Sequence, residues 1–363
     1  MRFLLTDEQR EFAHAVDGLL SASGTPAVAR AWAAGEHQPG RALWARIARA
    51  GVFGLAVPEQ HGGSGLLPVE LALSFVELGR HAVPGPLVET VAAAAFLGRL
   101  GADAQAGEWL PRIAAGEAVL SLCAGAGPDA LEADAADPAG YVRDADAADP
   151  APYTLDADAT DRAPYALDAD AADAVLLIRG DTVCRTDTHG PVQSSLDPAR
   201  RLARPLDGRV LARGPAVTAA AAHAVEVARL LTAAQSLGLG RALLAATVSY
   251  VRQRTQFGSS IGSFQAVKHR LADTLIGLEF AQPLVHAAAL ALETGAPSAG
   301  REVAAAKVAA GEAGYAAART ALQLHGAIGY TEELDLSLWI RKARPLRDAW
   351  GTPAACRARV LTG

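Results

Sequence analysis

The sequence predicts a mainly α-helical chain with a small β-segment in its middle. Three observations carry that expectation. Apolar residues at helical spacing fill residues 1–118 and again 219–363. Two aliphatic runs, 119–126 and 174–178, interrupt them and have the length of buried strands. The chain is rich in Ala and Gly with only 5% aromatic residues, a composition suited to closely packed helices. At 363 residues it is long enough for two or three domains.

In chain order, Thr6 is placed to N-cap a first helix, and Gln9 three residues later completes a capping box. Phe12, Val16, Leu19 and Leu20 then form one apolar stripe. Helices follow at 41–50, 68–79, 86–101 and 108–115. Between the first two of these, residues 52–65 hold four glycines and a proline, so a loop of demanding dihedrals is expected there. The strand at 119–126 leads into a turn, Gly-Ala-Gly-Pro-Asp at 125–129.

A tandem repeat of period twelve comes next, with units starting at Glu132, Asp144, Asp156 and Asp168 and tyrosines recurring at Tyr141, Tyr153 and Tyr165. Residues 132–167 lack the apolar mass to repay their ordering entropy, so they read as an acidic loop. The last unit runs into the core strand at 174–178, and short strands continue to about 212. A long helix is expected over 219–254, stopping near Gly258, which takes left-handed dihedrals at little cost. Gly262 closes the loop and Ser263 is the expected N-cap of a second helix over 263–294. A third spans 300–324, Thr331 caps a fourth that ends before Pro345, and Thr352 with Pro353 starts the last.

The net charge of −6 is set by one stretch: residues 129–173 carry −11, leaving +5 for the remainder. A mildly basic body suits a phosphate-bearing ligand, and no basic patch with interleaved aromatics points to nucleic acid. Residues 3–20 are too short and too charged for a secretion signal or membrane span. The three cysteines, Cys123, Cys184 and Cys356, lie far apart and read as free thiols of a cytoplasmic protein. None of the nine histidines forms a ligand cluster in sequence, so no metal is expected.

Residues 250–274 carry the most chemistry. A helix end, a glycine-bracketed loop and a fresh helix N-terminus offer backbone N–H groups to an anion. Arg254, beside that loop, adds a two-pronged phosphate contact. The wording of the stretch, with Arg254, Phe257, Gly258, Phe264, Gln265, Leu271, Ala272 and Asp273, closely resembles the acyl-CoA dehydrogenase family. The resemblance extends through most of 1–127 and 219–363. It implies an α-helical N-terminal domain over 1–118, a middle β-domain over 119–218 with the acidic insert at 132–167, and a C-terminal four-helix bundle over 219–363. It also implies FAD and the α,β-dehydrogenation of an acyl-CoA, or carrier-bound acyl, thioester.

Residue by residue, Gln323-Leu-His-Gly326 matches the family turn at the adenine half of FAD. The resemblance assigns Gly326 to the cofactor, Arg254, Phe257, Gln265 and Gln323 to FAD held mainly by a neighbouring subunit, and Thr352 to the flavin of the chain's own subunit. Arg229 matches an arginine that contacts CoA, with Glu226 one turn earlier. His325 reads as structural. The reaction needs a carboxylate base in a dry pocket. The family places that Glu at one of two positions, and here they hold Ala228 and Trp350. The Thr and Glu of the family's flavin-facing turn are also absent from 125–129.

Three functional readings follow. The chain is an active FAD enzyme with an unrecognised base, for which Glu226 is the candidate. Or it is a non-catalytic partner that lends FAD contacts to a Glu-bearing relative in a heteromer. Or it is an acyl-thioester-binding scaffold without redox activity. A homodimer or homotetramer is the alternative to the heteromer, and the electron acceptor is left open.

Overall fold

The computed structural model describes residues 4–124 and 164–362. Thr6 caps α1 (Asp7–Ser21) as expected: its hydroxyl accepts from the Gln9 backbone at 3.2 Å and the Gln9 side chain accepts from Thr6 N at 3.0 Å. A further helix, α2 (Thr25–Ala33), absent from the sequence expectations, has no side-chain cap and starts from left-handed Gly24, with Pro26 in its first turn as a start signal. Helices α3 (His37–Arg49), α4 (Pro68–Arg80), α5 (Leu87–Leu100) and α6 (Asp103–Ala114) complete the N-terminal part. Every residue of α5 from Leu87 to Leu97 is buried. A helix apolar on all sides belongs in the interior, and α5 carries its one carboxylate, Glu89, inside with it.

The middle segment forms β1 (Leu120–Ala124), β2 (Ala166–Leu167), β3 (Ala174–Arg179), β4 (Thr182–Thr186), β5 (Thr188–His189), β6 (Leu202–Ala203), β7 (Pro205–Leu206) and β8 (Arg209–Arg213). The main sheet has the order β1-β3-β4-β8, with β1 parallel to β3 from Leu120 opposite Ala174 to Ala124 opposite Ile178. The turn at 125–129 and repeat residues 132–163 lie outside the described residues. What is described corrects the end of the expected loop at 167. Ala166 and Leu167 form a strand paired with β6, and the Leu167 carbonyl accepts the Ser121 hydroxyl at 2.7 Å.

The next repeat unit is equally anchored. Asp168 accepts from Trp32 Nε1 at 3.1 Å and from Arg201 N at 3.2 Å. Asp170 pairs with Arg201 at 2.8 Å, and Asp173 pairs with Arg41 at 2.9 Å while accepting Val119 N at 2.7 Å. These acids are held by groups far away in sequence, which a composition-based reading cannot supply.

The C-terminal part begins with α7 (Pro215–Gln253), the central core helix. It crosses α4 backbone to backbone: a Cβ on Gly238 would lie 1.8 Å from the Val76 carbonyl oxygen, so only glycine fits. Helix α7 ends at Gln253 rather than near Gly258. Gly258 instead sits with Phe257 at the tip of a hairpin, β9 (Thr255–Gln256) and β10 (Ser259–Ser260), both tip residues having positive φ, 79° and 53°. Paired positive φ values are what a tight hairpin turn requires. The Ser260 hydroxyl donates to the Val251 and Arg252 carbonyls and so takes up the end of α7.

Ser263 does not cap α8 (Gln265–Glu293); its hydroxyl donates back to the Ser260 carbonyl, and Phe264 stands at the N-cap with no side-chain bond. Helix α9 (Ala299–His325) follows. Thr331 does not cap α10 (Leu336–Asp348) either, because its hydroxyl donates to the Ile328 carbonyl. Nor does α10 stop before Pro345: it continues to Asp348, where buried Lys307 donates to the Leu346 and Arg347 carbonyls at 3.2 and 2.7 Å. Helix α11 (Pro353–Thr362) starts as expected, with Thr352 Oγ1 accepting from Ala355 N at 3.3 Å.

Among the described residues, the largest apolar cluster runs from α1, α3, α4 and α5 through β1 and β3 into α7, α8 and α9. By length and composition, α7 and α8 would each suffice to cross a membrane; in α7 that character serves the core. All three cysteines are free.

Candidate active site

The loop between α10 and α11 organises one site. Trp350 holds φ 59° and Gly351 φ 134°. A positive φ at a bulky residue is strained and persists only when its surroundings fix it. Two contacts do so here. Arg229 Nε on α7 donates to the Trp350 carbonyl at 2.9 Å, and the Trp350 indole Nε1 donates to Glu89 Oε1 on α5 at 3.1 Å. Gly351 is needed for its φ, and a Cβ there would lie 3.0 Å from Cys356 Sγ.

This loop walls a cavity of about 360 Å³, shared with Glu89, Cys123, Leu167, Arg229 and Thr352. Its volume is at the low end of small-molecule sites. Glu89 is 5% exposed. Burial pushes its carboxyl above the usual range, against the pull of Arg200, the indole and Lys342. Burial also drives the Cys123 thiol up to about 12, so it is no thiolate nucleophile.

Glu226 stands apart from this cavity wall. Its Oε1 is held by Arg229 at 3.0 Å and Arg359 at 2.6 Å. Burial raises its pKa while the two arginines lower it. The structure therefore does not bring the sequence candidate Glu226 to the cavity as a free base. Ala228 is fully buried, and its carbonyl accepts from Thr232.

The remaining site residues gather at the other end of α7. Arg254, Phe257, Gln265, Gln323 and Gly326 are all exposed, Phe257 at 93%. Among the described residues the side chains of Arg254, Gln265 and Gln323 make no hydrogen bond. The first N–H groups of α8 are also uncapped by any side chain. Tyr250 stacks on His325 at 4.1 Å, tying α7 to the end of α9. His325 Nδ1 donates to the Ala321 carbonyl, and burial lowers its pKa, so it is a neutral packing residue. Gly326 has φ 65°, which its turn requires.

Arg229 and Arg254 both belong to α7 or its cap and are separated by about 37 Å of helix, at the usual rise per residue.

Two family models match. The acyl-CoA dehydrogenase N-terminal domain matches residues 6–117, and the acyl-CoA dehydrogenase C-terminal domain matches residues 218–361. The acyl-CoA dehydrogenase IpdE2 of Mycobacterium tuberculosis is 31% identical over 342 residues, which cover 93% of this chain and 91% of that one.

The chain belongs to the acyl-CoA dehydrogenase family.

Its fold is that of solved members. Butyryl-CoA dehydrogenase from Megasphaera elsdenii superposes with a TM-score of 0.79 at 22% identity, covering 100% of this chain and 99% of that one. The ChsE4-ChsE5 complex from Mycobacterium tuberculosis gives 0.78 at 23% identity, covering 100% and 98%.

For an acyl-CoA dehydrogenase the site is divided. Arg229 and Thr352 share the cavity, with Glu226 behind Arg229. Arg254, Phe257, Gln265, Gln323 and Gly326 form a separate exposed surface. The resemblance did not find Glu89. A signal was present in the sequence, since a lone acid inside the apolar run 87–97 is unusual and needs a partner. A spatial acid–histidine group also escaped notice: Asp17, Glu77 and His81 offer ligand atoms within 4.8 Å of one another. It reads as a salt-bridged cluster, because His81 already bonds Asp17 at 2.8 Å and Arg80 pairs with Glu77 at 3.3 Å.

Proposed function

We propose that this chain is an FAD-dependent acyl-CoA dehydrogenase that works as an assembly, each flavin lying between two chains. The reaction is α,β-dehydrogenation of an acyl thioester of CoA or of a carrier protein. One observation supports the reading: Arg229, matched to CoA, and Arg254, matched to FAD, lie about 37 Å apart along α7. Thr352 and the cavity would receive the flavin ring, and Arg229 the CoA. Arg254, Gln265, Gln323, Gly326 and the exposed Phe257 would hold the adenine side of a neighbour's FAD, with the uncapped start of α8 favouring its phosphates. When bound, FAD supplies the two-electron acceptor for hydride leaving carbon β. The protein contributes position, exclusion of water and a proton acceptor. A soluble, cytoplasmic assembly suits this reading, which leaves the electron acceptor open and calls for neither nucleic acid nor a membrane.

A second reading is supported by Ala228 and Trp350, which leave both usual positions for the Glu empty. In it the chain is the non-catalytic partner of a Glu-bearing relative. One solved chain on this fold comes from the ChsE4-ChsE5 complex. Reconstitution with FAD, followed by titration with a panel of acyl-CoAs, separates the readings. The active enzyme is expected to hold flavin alone and to lose its absorbance band with acyl-CoA. The partner is expected to hold flavin only when mixed with a Glu-bearing relative. Absence of flavin in both preparations would favour a scaffold without redox activity.

A further inference from the structure

We propose that Glu89 is the proton acceptor of this cavity, standing in for the Glu that the loop and α7 lack. The inference rests on the dehydrogenase reading above. Dehydrogenation requires loss of a proton from the carbon next to the thioester, and a positioned base speeds that transfer. The other acids around the site either do not line the cavity or are paired with arginines. Glu226 is clamped by Arg229 and Arg359 and does not line the cavity. Asp348, at the end of α10, does line it but pairs with Arg344 at 3.5 Å and with Arg347 at 3.6 Å. Asp168, whose Oδ1 accepts from Trp32 and the Arg201 backbone, does not line the cavity. Glu89 lines the cavity from a buried helix, and the indole is its hydrogen-bond donor.

The geometry explains Trp350 as well. It stands where the family has a glutamate, in a strained left-handed conformation. Its carbonyl is fixed by Arg229 and its N–H reaches Glu89. The indole cannot accept a proton, but it connects the loop to a group that can. The chemistry is a balanced proton transfer. The Glu89 carboxylate takes the proton from carbon α, and the electron pair of that C–H bond moves into the thioester as an enolate. Return of a solvent-derived proton from the Glu89 carboxyl regenerates the thioester. Arg200 and Lys342 are the cations that bear on this carboxylate.

The exchange half of that cycle needs no electron transfer, so it can be read separately. FAD-loaded protein is incubated anaerobically in D2O with butyryl-CoA and hexanoyl-CoA, and deuterium at carbon α is followed by mass spectrometry. Wild type is expected to incorporate deuterium. Glu89→Gln is expected to lose about 100-fold or more of that rate while keeping its flavin content, and Glu89→Asp to retain part of it. Exchange in Glu89→Gln as fast as in wild type would overturn the assignment and leave the dehydrogenase reading standing. A flavin-loaded wild type that exchanges no proton would overturn it too, in favour of the partner-subunit reading. Failure of wild type to hold flavin in any assembly would instead bring down the parent reading.

Discussion

Replacing Asp168 with Asn should flatten the pH dependence of this protein's stability between about pH 4 and 7. Asp168 is fully buried at the start of the last repeat unit, next to Leu167 in the cavity wall. Burial pushes its carboxyl up from 3.8 to about 7, against the hydrogen bonds from Trp32 and the Arg201 backbone. The sign follows from linkage. A folded-state pKa above the unfolded value means that the native protein binds a proton the unfolded chain has released. The resulting stabilisation is complete below about pH 4 and is lost as pH rises through about 7. The slope is about 1.4 kcal/mol per pH unit, and the whole span amounts to roughly 4 kcal/mol. An Asn side chain can still accept from Trp32 and Arg201, and it carries no charge at any pH.

The assay is urea unfolding of both proteins at several pH values from 4 to 8. Buried Glu89 and Glu226 also have raised pKa values, but both proteins share them, so the difference isolates Asp168. The variant should gain on wild type steadily as pH rises. A difference that stays constant across that range would refute the argument.

Two further outcomes are expected. Excising residues 132–167 should shift the melting temperature by no more than a few degrees, even though it removes β2. Ala130-Leu131 would then directly precede Asp168, repeating the Ala166-Leu167 pair in the same register. A drop of about ten degrees or more would show that the removed units belong to the core, since ~1 kcal/mol moves a domain of this size by only a few degrees. Arg254→Ala should leave helix content unchanged and weaken FAD retention about tenfold or more, the loss of a charge-assisted bond of roughly 1.5–3 kcal/mol. Unaltered retention in an assembly that binds FAD would remove Arg254 from the site.

Much of the helical framework was legible because its signals are local. The Thr6 box and the Thr352-Pro353 start are short-range patterns, and both are present. Ser263 and Thr331 have the right residue type for a cap, but nearby carbonyls claim their hydroxyls. Helix α10 runs past Pro345 to Asp348, and Lys307, from another helix, satisfies the Leu346 and Arg347 carbonyls at its end. The same long-range logic hid the order of the last repeat unit, whose acids depend on Trp32, Arg41 and Arg201. At the site, the resemblance listed the matching residues but not their division along α7. It also missed Glu89, whose importance depends on an indole 261 positions away in sequence.

The central claim is that each flavin is held by two chains. It is tested most directly by measuring FAD affinity as a function of protein concentration, with sedimentation run in parallel. A site completed by a second chain links cofactor binding to assembly, so the apparent affinity should fall as the protein is diluted into monomer. An isolated monomer that binds FAD with an affinity independent of protein concentration would contradict the account.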